Sequence, residues 1–118
     1  FSIGMPVYNG ERFLRNRLDG ILSQTFTNFE LIISDNASTD STALICKEYS
    51  KKDKRIRFIL QEKNMGGFWN FNFVLQEAKC EYFVWAAVDD IWTSDFLQKN
   101  VVFPVIRSMA LMNLHTPA

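Results

Sequence analysis

The stretch from Tyr82 to Val88 is the most apolar part of this chain, and two aspartates, Asp89 and Asp90, follow it directly. An uninterrupted apolar run that ends at a turn signal predicts a strand buried on both faces of a sheet. Two adjacent carboxylates repel each other, and they lose favourable hydration when they are enclosed. A divalent metal ion carrying a phosphate would offset that repulsion. The alternative is that one aspartate caps the next helix while the other remains solvated.

Strands and helices are predicted to alternate along the chain. The strands are expected at residues 1–7, 29–34, 56–60 and 82–88, and the helices at 11–24, 38–51, 68–79 and from about residue 96. Asn9 and Ser38 are the expected N-caps of the first two helices. This alternation predicts an α/β fold of three layers, in which a mainly parallel sheet lies between two layers of helices.

Polar or glycine-containing segments follow all four predicted strands. They are Tyr8-Asn9, Asp35-Asn36, Asn64-Met65-Gly66-Gly67 and Asp89-Asp90. In parallel sheets, ligands bind beyond the carboxyl ends of the strands, which meet at one edge. We therefore expect these four segments to form a single site.

Composition and missing motifs exclude several classes of function. Lys and Arg together number 13, as do Asp and Glu, so no net charge attracts nucleic acid or an anionic membrane. Neither a Gly-x-Gly-x-x-Gly turn nor a P-loop is present, and the single histidine, His115, argues against a histidine triad or zinc site. The remaining carboxylates and amides suit a sugar nucleotide, since they can bind base N–H groups, ribose hydroxyls and a metal ion.

The two cysteines and the absence of long apolar runs bear on cellular location. Cys46 and Cys80 are predicted to lie in helices without metal-ligand spacing, as buried free thiols of a reducing compartment, although a disulfide is the alternative. No apolar run approaches the roughly 20 residues that span a bilayer. No signal-peptide pattern is present. We expect a cytoplasmic location, with the full-length protein at the inner face of the membrane.

Four motifs resemble those of the inverting family 2 glycosyltransferases, which have the GT-A fold. The motifs are Pro6-Val7-Tyr8-Asn9-Gly10, the segment 33–40, Asn64-Met65-Gly66-Gly67 and the segment 85–92, in the family's order and spacing. The resemblance covers roughly residues 1–102. It implies metal-assisted transfer of a sugar, with inversion, from a nucleotide diphosphate sugar (UDP-, GDP- or dTDP-linked) to an acceptor hydroxyl. The implied metal is Mg²⁺ or Mn²⁺, and the implied acceptor is a glycan or a lipid-linked molecule of cell-envelope polysaccharide synthesis.

The resemblance also implies a role for each matching residue. Asp35 would hydrogen-bond the base, with an Asx turn that satisfies its own loop as the alternative. Asp89 and Asp90 would bind the metal and the ribose, and the sequence leaves open which carboxylate does which. The full implied donor-binding set is Pro6, Val7, Tyr8, Asp35, Asn64, Gly67 and Asp89, with Asp90 and Asp89 as metal ligands.

Two motifs depart from the family pattern. Ala87 stands where the family often has the first aspartate of Asp-x-Asp-Asp. The common Asp-Asp-Gly-Ser loop reads Asp35-Asn36-Ala37-Ser38, which loses one charge and one glycine. The aromatic helix that begins at Phe68 is interpreted as core and as a covering surface.

No catalytic residue is predicted within the chain, because the resemblance places the catalytic base beyond Ala118. Asp95 is interpreted as a helix cap. Residues 103–118 are interpreted as a divergent or truncated tail in which Pro104 interrupts a helix. We therefore expect this fragment to be inactive in transfer and to self-associate.

Three hypotheses of function follow. The first is the donor half of a glycosyltransferase, and the second is a nucleotide-sugar-binding module without turnover. The third is a sugar nucleotidyltransferase, although that class needs a glycine-rich, basic loop after the first strand and Glu11-Arg12 matches it poorly.

Overall fold

The structure is a computed structural model that describes residues 1–99 of the chain. Strands and helices alternate along these residues, as the sequence predicts. The elements are β1 (Ser2–Val7), α1 (Glu11–Leu22), β2 (Glu30–Asp35), α2 (Thr42–Lys52), β3 (Ile56–Leu60), α3 (Gly67–Glu77), β4 (Phe83–Trp85) and α4 (Phe96–Lys99). The predicted tail at 103–118, with Pro104 and His115, lies outside the described residues.

The sheet is parallel throughout the described residues, and its strands run in the order β3-β2-β1-β4. Val7 is level with Asp35 across the β1–β2 pair, and Asp35 is level with Leu60 across the β2–β3 pair. The carboxyl ends of these strands therefore meet at one edge. The chain moves outward from β1 to β3 and then returns to the other side of β1, which creates a topological switch point between β1 and β4.

Helices cover both faces of the sheet, so the predicted three-layer α/β fold is confirmed. On one face, Ile3, Met5 and Ile33 pack with Leu18 of α1 and Ile45 of α2. On the other face, a smaller cluster joins the sheet to α3; its members are Ile32, Val74, Leu75 and Phe83. Gly4 permits this approach, because a Cβ atom there would lie 2.8 Å from Val74 and 2.6 Å from the Phe83 ring.

The fourth strand is shorter and more exposed than predicted. It ends at Trp85, and within the described residues it pairs with β1 alone. Phe83 is buried, but Val84 and Trp85 are half-buried, so the expectation of a strand buried on both faces from 82 to 88 is wrong. After the Ala86 amide donates to the Gly4 carbonyl the chain turns away from the sheet. Ala86 belongs to the core cluster that also contains Leu14 and Leu18 of α1, and Val88 packs against that cluster.

Both predicted N-caps are wrong. The residue before α1 is Gly10, and α2 begins at Thr42 after Ser41. Asn9 and Ser38 instead bond to each other's loops, because both side chains lie at the sheet edge where those loops meet.

Two other boundaries shift. Gln24, predicted within the first helix, lies beyond its end, and its buried side chain bonds to the main chain of Thr93 and Leu97. Cys46 is buried in α2, as expected. Cys80 is half-buried in the connection before β4 rather than in a helix, because α3 ends at Glu77 where the chain becomes extended. Both cysteines are free thiols.

Candidate functional site

The loops that follow β1 and β2 are joined by hydrogen bonds. The Asn36 amide donates to the Val7 carbonyl at 2.9 Å. Asn9 has a left-handed backbone (φ 50°), and its Oδ1 accepts from the Thr39 amide at 2.8 Å. The Asn9 amide in turn donates to Ser38 Oγ at 2.8 Å. The ends of the two strands are therefore held as one rigid unit, beside which Tyr8 exposes 48% of its surface.

Asp35 lies at the end of β2 and is completely buried. Its Oδ1 accepts from the Ser38 amide at 3.0 Å and from Ser38 Oγ at 2.5 Å, so one oxygen organises the loop as the Asx-turn alternative expects. Its Oδ2 is buried without a hydrogen-bond partner among the described residues. That oxygen is a free acceptor, and a ligand reaches it only when the surrounding side chains move aside.

The loop after β3 is attached to the same edge by Asn36. Asn36 Oδ1 accepts from the Met65 amide at 2.8 Å, and Nδ2 donates to the Gly66 carbonyl at 3.1 Å. Asn64 Oδ1 accepts from the Gly66 amide at 2.8 Å. Gly66 has φ 94°, a conformation that favours glycine. Asn64 and Gly67 are both exposed beside this turn.

The segment after β4 meets the edge through Val88. A Cβ atom on Gly10 would lie 2.7 Å from Val7 and 3.0 Å from Val88, so the glycine lets these two side chains pack closely. Asp89 and Asp90 follow and are exposed. Asp90 Oδ1 accepts from the Ile91 amide at 2.8 Å.

A buried arginine that the sequence analysis did not single out lies behind the aspartate pair. Arg17 of α1 is 4% exposed, and its Nε donates to the Ala87 carbonyl at 2.7 Å. Its guanidinium lies 4.4 Å above the Trp92 ring. Burial lowers the pKa of Arg17, whereas the carboxylates of Asp90 and Asp89 act in the opposite direction. Arg17 therefore holds both ends of the segment that carries the two aspartates.

The sequence contained a signal for this arginine. Arg17 stands between Leu14, Leu18 and Ile21, on the apolar stripe of α1. A charged residue on such a stripe must find a partner inside the fold.

A cavity of about 400 Å³ adjoins the aspartate pair. It lies between α1 and the segment 88–92, and Phe13, Asn16, Arg17 and Gly20 line its α1 side. The cavity places the exposed carboxylates at the rim of a recess rather than on a flat surface.

The carboxylate oxygens of the two aspartates are the kind of ligand that Mg²⁺ and Mn²⁺ prefer. Residues 1–99 contain no group of three or more His, Cys, Asp or Glu side chains arranged to hold a metal ion. A cation here would therefore need further oxygens from water or from a phosphate ligand.

The structure thus brings most of the predicted site residues to one edge. Pro6, Val7 and Tyr8 end β1 or follow it, Asp35 ends β2, and the 64–67 loop is tied to that end through Asn36. The aspartate pair joins this edge only through the packing of Val88, and no described hydrogen bond connects it to Asp35. The ligand roles of all these residues stay predictions. None of the described helices is long and apolar enough to cross a membrane.

Comparison with known proteins shows the family of this chain. The model of the family described as Glycosyl transferase family 2 matches residues 2–102. TuaG of Bacillus subtilis, a proposed teichuronic acid biosynthesis glycosyltransferase, is 34% identical over 109 residues, which cover 92% of this chain and 43% of TuaG. This chain spans less than half the length of TuaG and of other curated relatives that it matches.

Two solved structures share the fold. TarS 1-349 of S. aureus in complex with UDP-GlcNAc superposes with a TM-score of 0.76 and 27% identity, over 98% of this chain and 31% of that one. The mannosyltransferase PcManGT of Pyrobaculum calidifontis, in complex with GDP-Man and Mn²⁺, has a TM-score of 0.71 and 23% identity, over 77% of this chain and 28% of that one. At that identity PcManGT shows a shared fold alone.

Proposed function

The chain belongs to glycosyl transferase family 2 and has the GT-A fold, and from this premise we propose that it forms the nucleotide-sugar donor site of a glycosyltransferase. The strongest support for the proposal is the arrangement of the strand ends. The ends of β1, β2 and β3 are tied into one edge that encloses an unused carboxylate oxygen, Asp35 Oδ2. The exposed pair Asp89 and Asp90 follows β4 on the other side of the switch point.

Asp35 is proposed to bind the base. A carboxylate oxygen only accepts hydrogen bonds, so it favours a base with a ring N–H group. Uracil, thymine and guanine have such a group, whereas the corresponding ring nitrogen of cytosine is an acceptor and only the exocyclic amino group of cytosine can donate. UDP-, dTDP- and GDP-sugars are therefore the proposed donors, with Pro6, Val7 and Tyr8 lining the base pocket.

The loop 64–67 and the aspartate pair are proposed to hold the rest of the donor. Asn64 and Gly67 would flank the nucleotide, because small or flexible groups let the backbone approach a ligand closely. Asp89 and Asp90 would bind the ribose and a divalent metal, Mg²⁺ or Mn²⁺. Such a metal, when bound, would stabilise the charge of the departing diphosphate. Arg17 keeps the segment in place through the Ala87 carbonyl and the Trp92 ring.

Transfer with inversion needs a base that takes the proton of the acceptor hydroxyl. We assign that base to no described residue. Asp95 is ion-paired with Lys99 at 2.9 Å and accepts from Thr93, which suits a structural role at the start of α4. We propose that residues 1–102 bind the donor, that this chain alone turns over no acceptor, and that the whole protein supplies the base.

The whole protein is proposed to work in cell-envelope polysaccharide synthesis, with a glycan or lipid-linked acceptor at the cytoplasmic face of the membrane. TuaG, named for teichuronic acid biosynthesis, supports that role.

Calorimetric titration of the chain with UDP, GDP, dTDP and CDP, each with and without Mn²⁺, tests the proposal. We expect UDP, GDP and dTDP to bind, and to bind more tightly with Mn²⁺ than without it. CDP should bind least. Asp89→Asn and Asp90→Asn should reduce the Mn²⁺ dependence. Asp95→Asn is the matched control, since it removes a nearby carboxylate at the start of α4. It should leave nucleotide affinity and its Mn²⁺ dependence unchanged. No nucleotide binding with or without metal would overturn the donor-site proposal.

A further inference from the structure

Asn36 occupies a central position among the strand ends. The residue is 2% exposed, and both ends of its side-chain amide form hydrogen bonds. Oδ1 accepts from the Met65 amide at 2.8 Å, and Nδ2 donates to the Gly66 carbonyl at 3.1 Å. Its backbone amide also donates to the Val7 carbonyl at 2.9 Å. One residue therefore connects the end of β1, the end of β2 and the loop after β3.

The loop from Asn64 to Gly67 has few other restraints: its last residue begins α3, and the Gly66 carbonyl also accepts from the Asn70 amide at 3.2 Å. All four of its residues are exposed. Gly66 has φ 94°, and a Cβ atom at this position would have nothing within 4 Å, so the turn stands in open space. Apart from the bonds to Asn36, the side-chain bond described within the loop is the one from the Gly66 amide to Asn64 Oδ1. Glycine gains more backbone freedom than other residues when such restraints are lost.

The helix that follows the loop is anchored separately. Ser34 Oγ donates to Asn70 Oδ1 at 2.6 Å, and Asn70 Nδ2 donates to the Ser34 carbonyl at 2.9 Å. Both residues are buried. Because this pair joins α3 to β2 without Asn36, a change at Asn36 should release residues 64–66 while α3, which begins at Gly67, stays in place.

We propose that Asn36 is a positioning residue, which holds Asn64 and the backbone of Met65 and Gly66 in the arrangement that receives the nucleotide. The inference rests on the proposed function, since it assumes that the loop contacts the donor. Asn36 itself acts through the loop, because its amide is buried and both of its ends bond to the loop, at Met65 and Gly66.

Two substitutions at Asn36 separate its two bonds. Asn36→Ala removes both. Asn36→Asp keeps an oxygen that can accept from the Met65 amide, but it replaces the donor to Gly66 with an acceptor that repels the carbonyl. Asn72→Asp is the matched control: it makes the same chemical change on α3, where Asn72 Nδ2 donates to the Phe68 carbonyl within the helix.

The experiment combines amide hydrogen exchange at Met65, measured by NMR without nucleotide, with the affinity for UDP and Mn²⁺ measured by calorimetry. We expect Asn36→Ala to speed Met65 exchange and to weaken UDP binding about 5- to 30-fold, the range that corresponds to loss of one or two hydrogen bonds. Asn36→Asp should keep Met65 partly protected and yet weaken UDP binding. Asn72→Asp should change neither quantity, and thermal unfolding should show all three variants folded.

The outcomes are distinct. If the wild-type chain binds no nucleotide, the proposed function fails, and the inference built on it fails with it. If the wild-type chain binds UDP and Asn36→Ala binds it equally well, the inference alone is overturned. Unchanged exchange at Met65 in Asn36→Ala would overturn the positioning role itself. A fall in stability without a fall in affinity in Asn36→Asp would assign Asn36 a structural role only.

Discussion

The Asp35→Asn substitution changes a buried carboxylate whose two oxygens have different surroundings. Oδ1 accepts two hydrogen bonds from Ser38, at 2.5 and 3.0 Å, and an amide oxygen can accept both, although more weakly than a carboxylate. Oδ2 has no partner among the described residues. In the variant an NH₂ group takes that position, and it cannot accept a hydrogen bond from a base. The substitution therefore removes the proposed ligand contact and keeps the loop contact.

The expected magnitudes follow from these contacts. A hydrogen bond to a charged group contributes about 1.5–3 kcal/mol, and each 1.4 kcal/mol changes Kd by a factor of about ten. We therefore expect the Kd for UDP to rise about 10- to 150-fold. The free energy of unfolding should change by no more than about 1 kcal/mol, because the Ser38 bonds persist and one buried unpaired polar group replaces another.

Calorimetry gives the affinity for UDP, and urea unfolding gives the stability. Asp40→Asn is the control, since Asp40 lies in the same loop and accepts from the Thr42 amide at 2.9 Å and the Glu11 amide at 3.3 Å. It removes the same charge without touching the proposed base contact, so UDP affinity should be unchanged. If Asp35→Asn binds UDP as well as the wild-type chain does, Asp35 only organises its own loop and the base-binding role is wrong.

Three further predictions concern the chain without ligand. Ala37 has φ 62°, a left-handed conformation that strains a residue with a Cβ atom. Ala37→Gly should therefore raise the free energy of unfolding in urea by about 0.5–1 kcal/mol, and a decrease would contradict this strain. Burial, followed by the nearby charge of Asp35, raises the pKa of Cys46 to about 12, so at mildly alkaline pH an alkylating reagent should modify Cys80 while Cys46 stays a protonated, unreactive thiol. Mass spectrometry of the native protein would contradict this if both cysteines were labelled equally. Asn70→Ala should lower the free energy of unfolding by about 2–3 kcal/mol, because it removes two buried hydrogen bonds to Ser34 and leaves the Ser34 hydroxyl only the bond that it accepts from Gln61 Nε2. A change under about 0.5 kcal/mol would contradict that role.

The sequence predicted the sheet and its polar edge because both depend on local pattern. Ile56–Leu60 was predicted with its observed bounds, since a charged turn precedes it and a glycine turn follows it. The parallel arrangement followed from the alternation of strands and helices. The same reasoning placed Asp35, the 64–67 loop and the aspartate pair after their strands.

What the sequence could not predict depends on contacts between distant residues. The apolar run after Tyr82 could be buried by a second sheet neighbour or by α1, and only the structure shows that Ala86 and Val88 pack beside α1. Ser38 is a residue type that is common at N-caps, but its hydroxyl instead donates to the Asp35 carboxylate and accepts from the Asn9 amide. The bonds of Asn36 to residues 29 and 30 positions away leave no periodic trace in the sequence.

The central claim is that a nucleotide diphosphate binds at the carboxyl edge of this sheet. NMR spectra of the isotope-labelled chain, recorded as UDP is added with Mg²⁺, would map the binding position residue by residue. We predict that the largest shift changes fall at residues 7–9, 35–38, 64–67 and 88–91, and that trace Mn²⁺ broadens the Asp89 and Asp90 signals first. Changes centred instead on the opposite edge, around Ser2, Glu30 and Cys80, or no changes at all, would contradict it.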